Sequence, residues 1–593
     1  MRQIKLKFLP FILCTVSICN VSAQDNQAVS SDNIDDKHFQ ISKQLDIFNA
    51  LVKEMDMFYV DTIDIKNAMR RGISAMLRGL DPYTEYIPEN EMEGLKFLTT
   101  GEYGGVGAII QSRDGSTIVV EPYGKMPAAE AGIRAGDKII EVDNVDASSL
   151  PSDKVSELLK GVPNTKTTVK VERKGEKNPL KFDIVRKQVV VDQVTHYGVY
   201  GDNTGYIYLQ GFNDKSGQEV KTAFEDLKKN HNIGSLILDL RDNGGGVLES
   251  AVQIVNLFVP KGKEVLTMKG KARQLDRTYR TYIEPVDTVI PIVVLINGSS
   301  ASASEIVSGA LQDMDRAVLI GQRSYGKGLV QSTRNLPYDG KLYVTISKYY
   351  IPSGRCIQQL DYTHRNADGR VEAIPDNLTS VFYTENGRPV RDGGGIRPDL
   401  EIEEEKTPTM LYYLYADNNY VLFDYVTDWV SKNKTFPVVD DFVYSDEDYE
   451  SFKQYLIEKN FDYDRQSRNV MNSLKEIAKL EGFTDEDSTL FVALEEKLKP
   501  NIERDLERYK KEIKRLISSE IVKRYYFKKG ETQQSLKDDN VFQKALEVLK
   551  DKKLYKEILA PSVEKNEQVV SEVKRKSSQQ LSHRSKIINE QII

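Results

Sequence analysis

Cysteine is scarce in this chain of 593 residues: there are three, and Cys14 and Cys19 both fall near the start. If that stretch is removed, only Cys356 remains, so neither an intrachain disulfide nor a cysteine-rich metal site can form. Its neighbours Ser353, Gly354 and Arg355 give no sign of an activated thiol, so Cys356 reads as structural. Histidine is nearly as rare, limited to His38, His196, His231, His364 and His583. None sits in a motif with an obvious orienting carboxylate, which leaves a Ser-His-Asp triad open but locally unsupported. A surplus of one charge is also missing. The 82 basic and 89 acidic residues nearly cancel to −7, and no basic stripe marks a nucleic-acid surface. Past the start, no apolar run approaches the roughly 18 to 20 residues a membrane helix needs. No metal and no cofactor are expected.

What is present begins with an export signal. Arg2, Lys5 and Lys7 precede the short apolar run Phe8–Cys19, and Val21-Ser22-Ala23 supplies the small residues read before cleavage at Gln24. The pattern predicts a signal peptide over 1–23 and an exported, periplasmic protein. An uncleaved anchor, and hence membrane association, is the alternative. A lipoprotein is disfavoured because Ile18 precedes Cys19.

The length calls for three or more domains. Helical periodicity fills an N-terminal segment over 24–97, where Leu45, Phe48, Leu51, Val52 and Met55 share a face and Leu80-Asp81-Pro82-Tyr83 makes a closing turn. From 98 to 186 short β-like stretches alternate with turn residues. Over 187–407 strands and helices alternate, implying α/β architecture. A helical extension is expected over 408–561, and a polar, disordered tail over 562–593. The fold class is therefore multidomain α/β: an α/β core, an inserted β-rich module, and helical segments at both ends.

The β-rich module carries the first functional motif. In Tyr103-Gly104-Gly105-Val106-Gly107 a glycine loop precedes the strand Ala108-Ile109-Ile110. Converging backbone N–H groups of such a loop can hold a carboxylate, and the strand edge can accept an extended peptide. Pro127-Ala128-Ala129-Glu130-Ala131-Gly132-Ile133, followed by Gly136-Asp137, resembles the PDZ-domain segment. That resemblance implies capture of protein C-termini at Gly104, Gly105, Val106 and Gly107. A packing module without peptide binding is the plainer reading.

In the α/β region, the strand Leu236–Leu240 runs into the turn Arg241-Asp242-Asn243-Gly244-Gly245-Gly246, and the strand Ile290–Ile296 into Asn297-Gly298-Ser299-Ser300 and a helix from Ser302. A third strand ends at Gly326-Lys327-Gly328. Loops at the carboxyl ends of such strands are the usual place for a site. Ser302, at a helix start, is a candidate nucleophile, and the N–H of Ala303 a candidate oxyanion donor. Lys327 could act as base if burial lowered its pKa from about 10.4 toward 7 or 8, a shift worth roughly 4 kcal/mol. Two plainer readings compete. Ser302 with Glu305 spells a capping box, and Lys327 alone reads as a surface lysine. Ser324-Tyr325-Gly326-Lys327 also fits S-x-x-K, although its glycine disfavours the helix that motif requires.

The segments Asn297–Ile306, Gly309–Asp313 and Gly326–Gln331 resemble the C-terminal processing proteases, PDZ-containing Ser-Lys peptidases also called tail-specific proteases. Leu240–Gly246 is similar to the family's L-R-x-N-P-G-G turn, with Gly244 in the proline's place. The resemblance, over roughly 40–400, implies a serine endopeptidase that reads tails of exported proteins and cleaves them through an acyl-enzyme. It implies Ser302 as nucleophile, Lys327 as base, Gln331 orienting the lysine amine, and Ala303 and Gly245 as the oxyanion hole. Family members often use the PDZ module as a gate. The implied partners are protein or peptide substrates with free C-termini, with a homo-oligomer or a regulatory adaptor as further partners. The competing class is a catalytically idle PDZ scaffold. In the extension, Ile502, Leu506, Tyr509, Ile513, Leu516 and Ile521 trace one apolar face, which suits an accessory bundle packed on the α/β region better than a partner platform.

Overall fold

The computed structural model describes residues 31–561, apart from 367, 404–406, 416–419, 464–465, 483–487 and 499–500. The signal sequence expected over 1–23 and the tail expected over 562–593 lie outside the described residues.

Among the described residues, the α/β region is built on a six-stranded sheet. Its order is Val194–Tyr200, Thr204–Leu209, Ser235–Asp239, Ile292–Ile296, Val318–Gly321 and Leu400–Glu401. The first pair is antiparallel and the rest are parallel. The runs Ser235–Asp239 and Ile292–Ile296 are buried at every position, as parallel strands covered on both faces must be. One cover comes from the helices Ser216–His231, Leu248–Asn256 and Ala303–Asp313. Their Phe224, Leu227, Ile254 and Ile306 share a cluster with Leu236, Leu238, Ile292 and Val294. The other cover comes from the far end of the chain: Phe542, Ala545, Val548 and Tyr555 pack on Tyr206, Ile237, Val293 and Leu295. The Tyr555 hydroxyl also donates to the Ile292 carbonyl and accepts from its N–H. The last two helices of the extension are thus a layer of the sheet's own core. The rest of the extension closes a separate cluster with Leu506, Ile513 and Ile521 inside, while Ile502, Tyr509 and Leu516 pack against it.

A second sheet carries the strands Leu329–Asn335 and Lys341–Tyr350, which pair antiparallel. Glu85–Ile87 adds to the outer edge of Lys341–Tyr350. This short pairing brings the turn that follows the N-terminal helices Ser31–Phe58 and Ile65–Arg78 to the middle of the α/β region.

The β-rich module forms its own sheet, ordered Ala108–Arg113, Ser116–Pro122, Lys138–Val142, Lys166–Glu172 and Leu180–Val185. Val119, Ile139, Val142, Val155 and Val169 fill its core. It docks on the helical extension through opposite charges. Arg113 makes a two-pronged contact with Asp424 at 2.6 Å on each arm, Lys174 meets Asp428 and Lys523 meets Glu121 at 3.2 Å. At Gly124 the ring of Phe527 lies where a Cβ would sit, 2.9 Å away.

Candidate active site

Ser302 occupies the sharp junction between the strand Ile292–Ile296 and the helix Ala303–Asp313, with φ 60° and ψ −110°. Such a conformation is strained for a residue with a Cβ and persists only where surroundings impose it. Its surroundings do. Asn243 lies behind the turn, its carbonyl accepting from the Ala301 N–H at 3.0 Å and the Ser304 hydroxyl at 2.8 Å. The Ser300 hydroxyl donates to the Leu240 carbonyl at 2.8 Å. Ser302 is fully buried, and its Oγ has no hydrogen-bond partner. A cap serine would use that hydroxyl on the helix N-terminus. Here the residues sit in the arrangement of the expected box, but the bond that is made is the glutamate's, and the serine hydroxyl makes none.

Glu305 does far more than cap. Its fully buried carboxylate accepts from the Ser302 N–H at 2.7 Å and the Lys327 N–H at 2.9 Å on one oxygen. On the other it accepts from the Gly326 N–H at 2.7 Å and the Ser324 hydroxyl at 2.5 Å. One side chain thereby clamps the serine turn to the lysine loop. Burial pushes its pKa up, against four hydrogen bonds that pull it down. Reading Glu305 only as the fourth letter of a helix cap hides this role. The serine-to-glutamate spacing is visible in sequence, but the glutamate's three other partners, Ser324, Gly326 and Lys327, lie 19 to 22 residues on and are not.

Lys327 is fully buried too. Burial lowers its pKa to about 7, against the opposing pull of Asp81 and Glu305, so the amine is substantially neutral near neutral pH. The surface-lysine reading is therefore excluded by position. The Lys327 Nζ lies over the ring of Tyr83, 4.3 Å from its centre.

Gln331 is buried on the neighbouring strand, but its contacts differ from the expectation. Its amide nitrogen donates to Thr345 Oγ1 at 3.0 Å, and its Oε1 has no partner. It therefore makes no hydrogen bond to the lysine amine here. The reason is register: Gln331 faces Thr345 across the hairpin.

The structure brings Gly245 against the serine. A Cβ there would lie 2.9 Å from the Ala303 nitrogen and 2.9 Å from Ser302 Cβ, and its φ of 96° suits glycine alone. Its own N–H donates to Asn243 Oδ1 at 2.9 Å, so the donor expected to serve as the second half of an oxyanion hole is engaged elsewhere in the present arrangement. The N–H of Ala303 opens the helix, among the amides a helix leaves without internal partners.

In the β-rich module, the expected four-residue glycine loop is shorter than its sequence suggests. Glu102–Gly105 is a strand paired with Lys187–Val190, so Gly104 and Gly105 are strand residues. A Cβ on Gly104 would meet the Gly161 carbonyl oxygen at 2.2 Å, so close backbone packing is what demands that glycine. Val106 and Gly107 (φ 77°) form the loop proper. The strand Ala108–Arg113 ends the sheet order, paired on one side only among the described residues, and the helix Ser152–Leu159 packs in the same core.

The rival nucleophile systems fare poorly. Ser324 of the S-x-x-K pattern spends its hydroxyl on Glu305, and Gly326, at φ 85°, is not helical. His364 does have a carboxylate partner, contrary to the sequence reading: Asp361 lies 2.7 Å away. That pair is solvent-exposed, whereas the Ser302 hydroxyl is buried without a partner. His196 is spent on Tyr200 at 2.6 Å, and His583 lies outside the described residues. Burial pushes the Cys356 thiol up, away from reactivity.

Comparison with known proteins gives three matching family models. Residues 203–364, which contain Gly245, Ser302, Lys327 and Gln331, match "Peptidase family S41". Residues 118–173 match "PDZ domain", and 410–549 match "Probable PDZ-protease, C-terminal helical domain". A carboxy-terminal-processing protease of Bartonella bacilliformis is 34% identical over 340 residues, covering 57% of this chain and 77% of that one. A carboxyl-terminal-processing protease of Synechocystis is 34% identical over 294 residues, covering 49% and 68%. A solved photosystem II D1 C-terminal processing protease is 26% identical over 62% of this chain and 90% of that one, with a TM-score of 0.32.

Proposed function

The chain belongs to the carboxyl-terminal-processing proteases of peptidase family S41, and from that premise we propose that it cleaves exported proteins by a Ser302–Lys327 dyad after reading their C-termini at its PDZ module. The observation that carries this reading is the shared carboxylate of Glu305, which fastens the backbone of Ser302 to that of a fully buried lysine. A cap serine needs no such lysine, and a buried lysine needs a compensating purpose, because desolvating an amine is costly.

The chemistry follows from the residues. The neutral amine of Lys327 takes the Ser302 proton as Oγ attacks the scissile carbonyl carbon. The N–H groups of Ala303 and Gly245 stabilise the oxyanion once Gly245 lets go of Asn243 Oδ1. Lys327 then passes the proton to the leaving amine, and water releases the acyl group by the same route in reverse. The orphaned Gln331 Oε1 is the acceptor available to steady the lysine when the amine turns to Ser302. Because the Ser302 hydroxyl is wholly covered and unpaired, the arrangement described is a resting one. Tail binding at Val106 and Gly107, with a strand added to the edge of Ala108–Arg113, supplies the event that opens it.

Export and a periplasmic setting rest on the signal pattern over 1–23. Purified protein and its Ser302→Ala variant, each incubated with an unfolded substrate bearing a free C-terminus, test the reading. Cleavage by the first alone is expected. Cleavage by both would remove Ser302 as nucleophile, and by neither would favour an idle scaffold.

A further inference from the structure

Tyr83 lies more than 200 residues before the serine, outside the matched peptidase span. Yet it is 3% exposed and its ring covers the Lys327 amine at 4.3 Å. Its position is heavily determined. The Asp81 carboxylate accepts from the Tyr83 N–H at 2.8 Å, the Thr84 N–H at 2.7 Å and the Thr84 hydroxyl at 3.0 Å. Pro82 stiffens the same turn. Immediately afterwards Glu85–Ile87 is stitched to the strand Lys341–Tyr350, and the Thr84 hydroxyl reaches Thr345, the partner of Gln331. The Tyr83 and Tyr362 rings are perpendicular, their centres 6.1 Å apart.

We propose that Tyr83 is a positioning residue for the general base: the N-terminal segment ends in a lid whose ring seals the Lys327 amine from water and fixes where it lies. The inference rests on Lys327 being that base. The titratable groups that act on the amine are Asp81 in the lid turn and Glu305 from the helix Ala303–Asp313; Tyr325 and Tyr362 face the Tyr83 phenol, and the Tyr349 hydroxyl donates to the Ser302 carbonyl. The two carboxylates favour the ammonium form, so the neutral amine depends on exclusion of water. Burial raises the Tyr83 phenol as well, so it covers the amine as an uncharged ring.

The test reads the lysine directly and does not require catalysis. In the full-length Ser302→Ala protein, Lys327 is labelled with acetic anhydride across a pH series, and mass spectrometry gives the midpoint separately from the plateau. With Tyr83, and with Tyr83→Phe, the midpoint is expected at about 7. In Tyr83→Ala water enters, and the midpoint should rise by about one pH unit or more. A purely structural role would lower the plateau or the yield without moving the midpoint. If the alanine variant fails to fold, Tyr83→Val, which also removes the ring, must move the midpoint in the same direction. An unmoved midpoint in the folded ring-less variant, or a parent midpoint near the ordinary lysine value, overturns the proposal. Failure of the dyad reading looks different: with Ser302 restored, proteolysis would survive Lys327→Ala while the labelling result stood.

Discussion

Replacing Lys327 by methionine should stabilise the protein, by an amount that depends on pH. The folded state holds this amine at about 7, against an ordinary value of 10.5. The unfolded chain therefore carries more protons than the folded one between those two values. Stability consequently rises with pH through that window and is lowest, by the full cost, below about 7. Three and a half units correspond to a cost of up to about 5 kcal/mol, and local relaxation leaves roughly 2 to 4 kcal/mol to be recovered. Methionine fills a similar volume and sets a sulfur against the Tyr83 ring, a favourable contact. The assay is hydrogen exchange of the buried strand Ile292–Ile296, whose protection reports opening of the core. At about pH 6 the variant should be better protected by a factor of roughly thirty or more, and by about pH 10 the difference should largely vanish. A gain equal at both pH values, or no gain, would refute the claim that a depressed lysine is buried in this core.

Other consequences are independent of that one. Glu305→Gln turns an amide NH2 toward two of the four donors the carboxylate now satisfies. It should cost roughly 2 to 4 kcal/mol of stability and reduce kcat/KM at least about a hundredfold, checked by denaturation and peptide cleavage. In the wild type, kcat/KM should climb as pH rises through about 7, because the neutral amine is the competent form; a rate flat from about pH 5 to 8 would contradict this. Amidating the C-terminus of a substrate should raise KM about tenfold or more with little change in kcat at saturation, if the loop at Val106 and Gly107 holds the carboxylate. Asp424→Ala removes the two-pronged partner of Arg113, and should weaken docking of the PDZ module on the helical extension by about 1 kcal/mol, seen as faster proteolytic nicking between them.

The parts of this architecture that sequence made legible are those governed by local pattern. The buried strands Ser235–Asp239 and Ile292–Ile296 announce themselves as apolar runs, and the serine, lysine and glutamine stand at recognisable spacings. What stayed hidden depends on contacts between distant segments. Leu80–Tyr83 reads as a turn closing a helical stretch, and nothing near it signals that Tyr83 will cover a lysine 244 positions later. Phe542 and Tyr555 look like the apolar face of a helical extension, yet they complete the second face of the protease sheet. Gly104 and Gly105 look like loop residues because glycine is commonest in loops, whereas both lie within a strand, where close approach of the Gly161 carbonyl requires a glycine at 104. The Asp361–His364 pair is not legible in sequence because three residues of spacing in a loop give no fixed geometry.

The residue to which a substrate becomes attached decides whether Ser302 is the nucleophile. A slowly deacylating peptide ester, quenched early and mapped by mass spectrometry, should leave its acyl group on Ser302, with no adduct in Ser302→Ala and none formed at neutral pH in Lys327→Ala. An acyl group on any other residue, or undiminished acylation without the lysine, would contradict it.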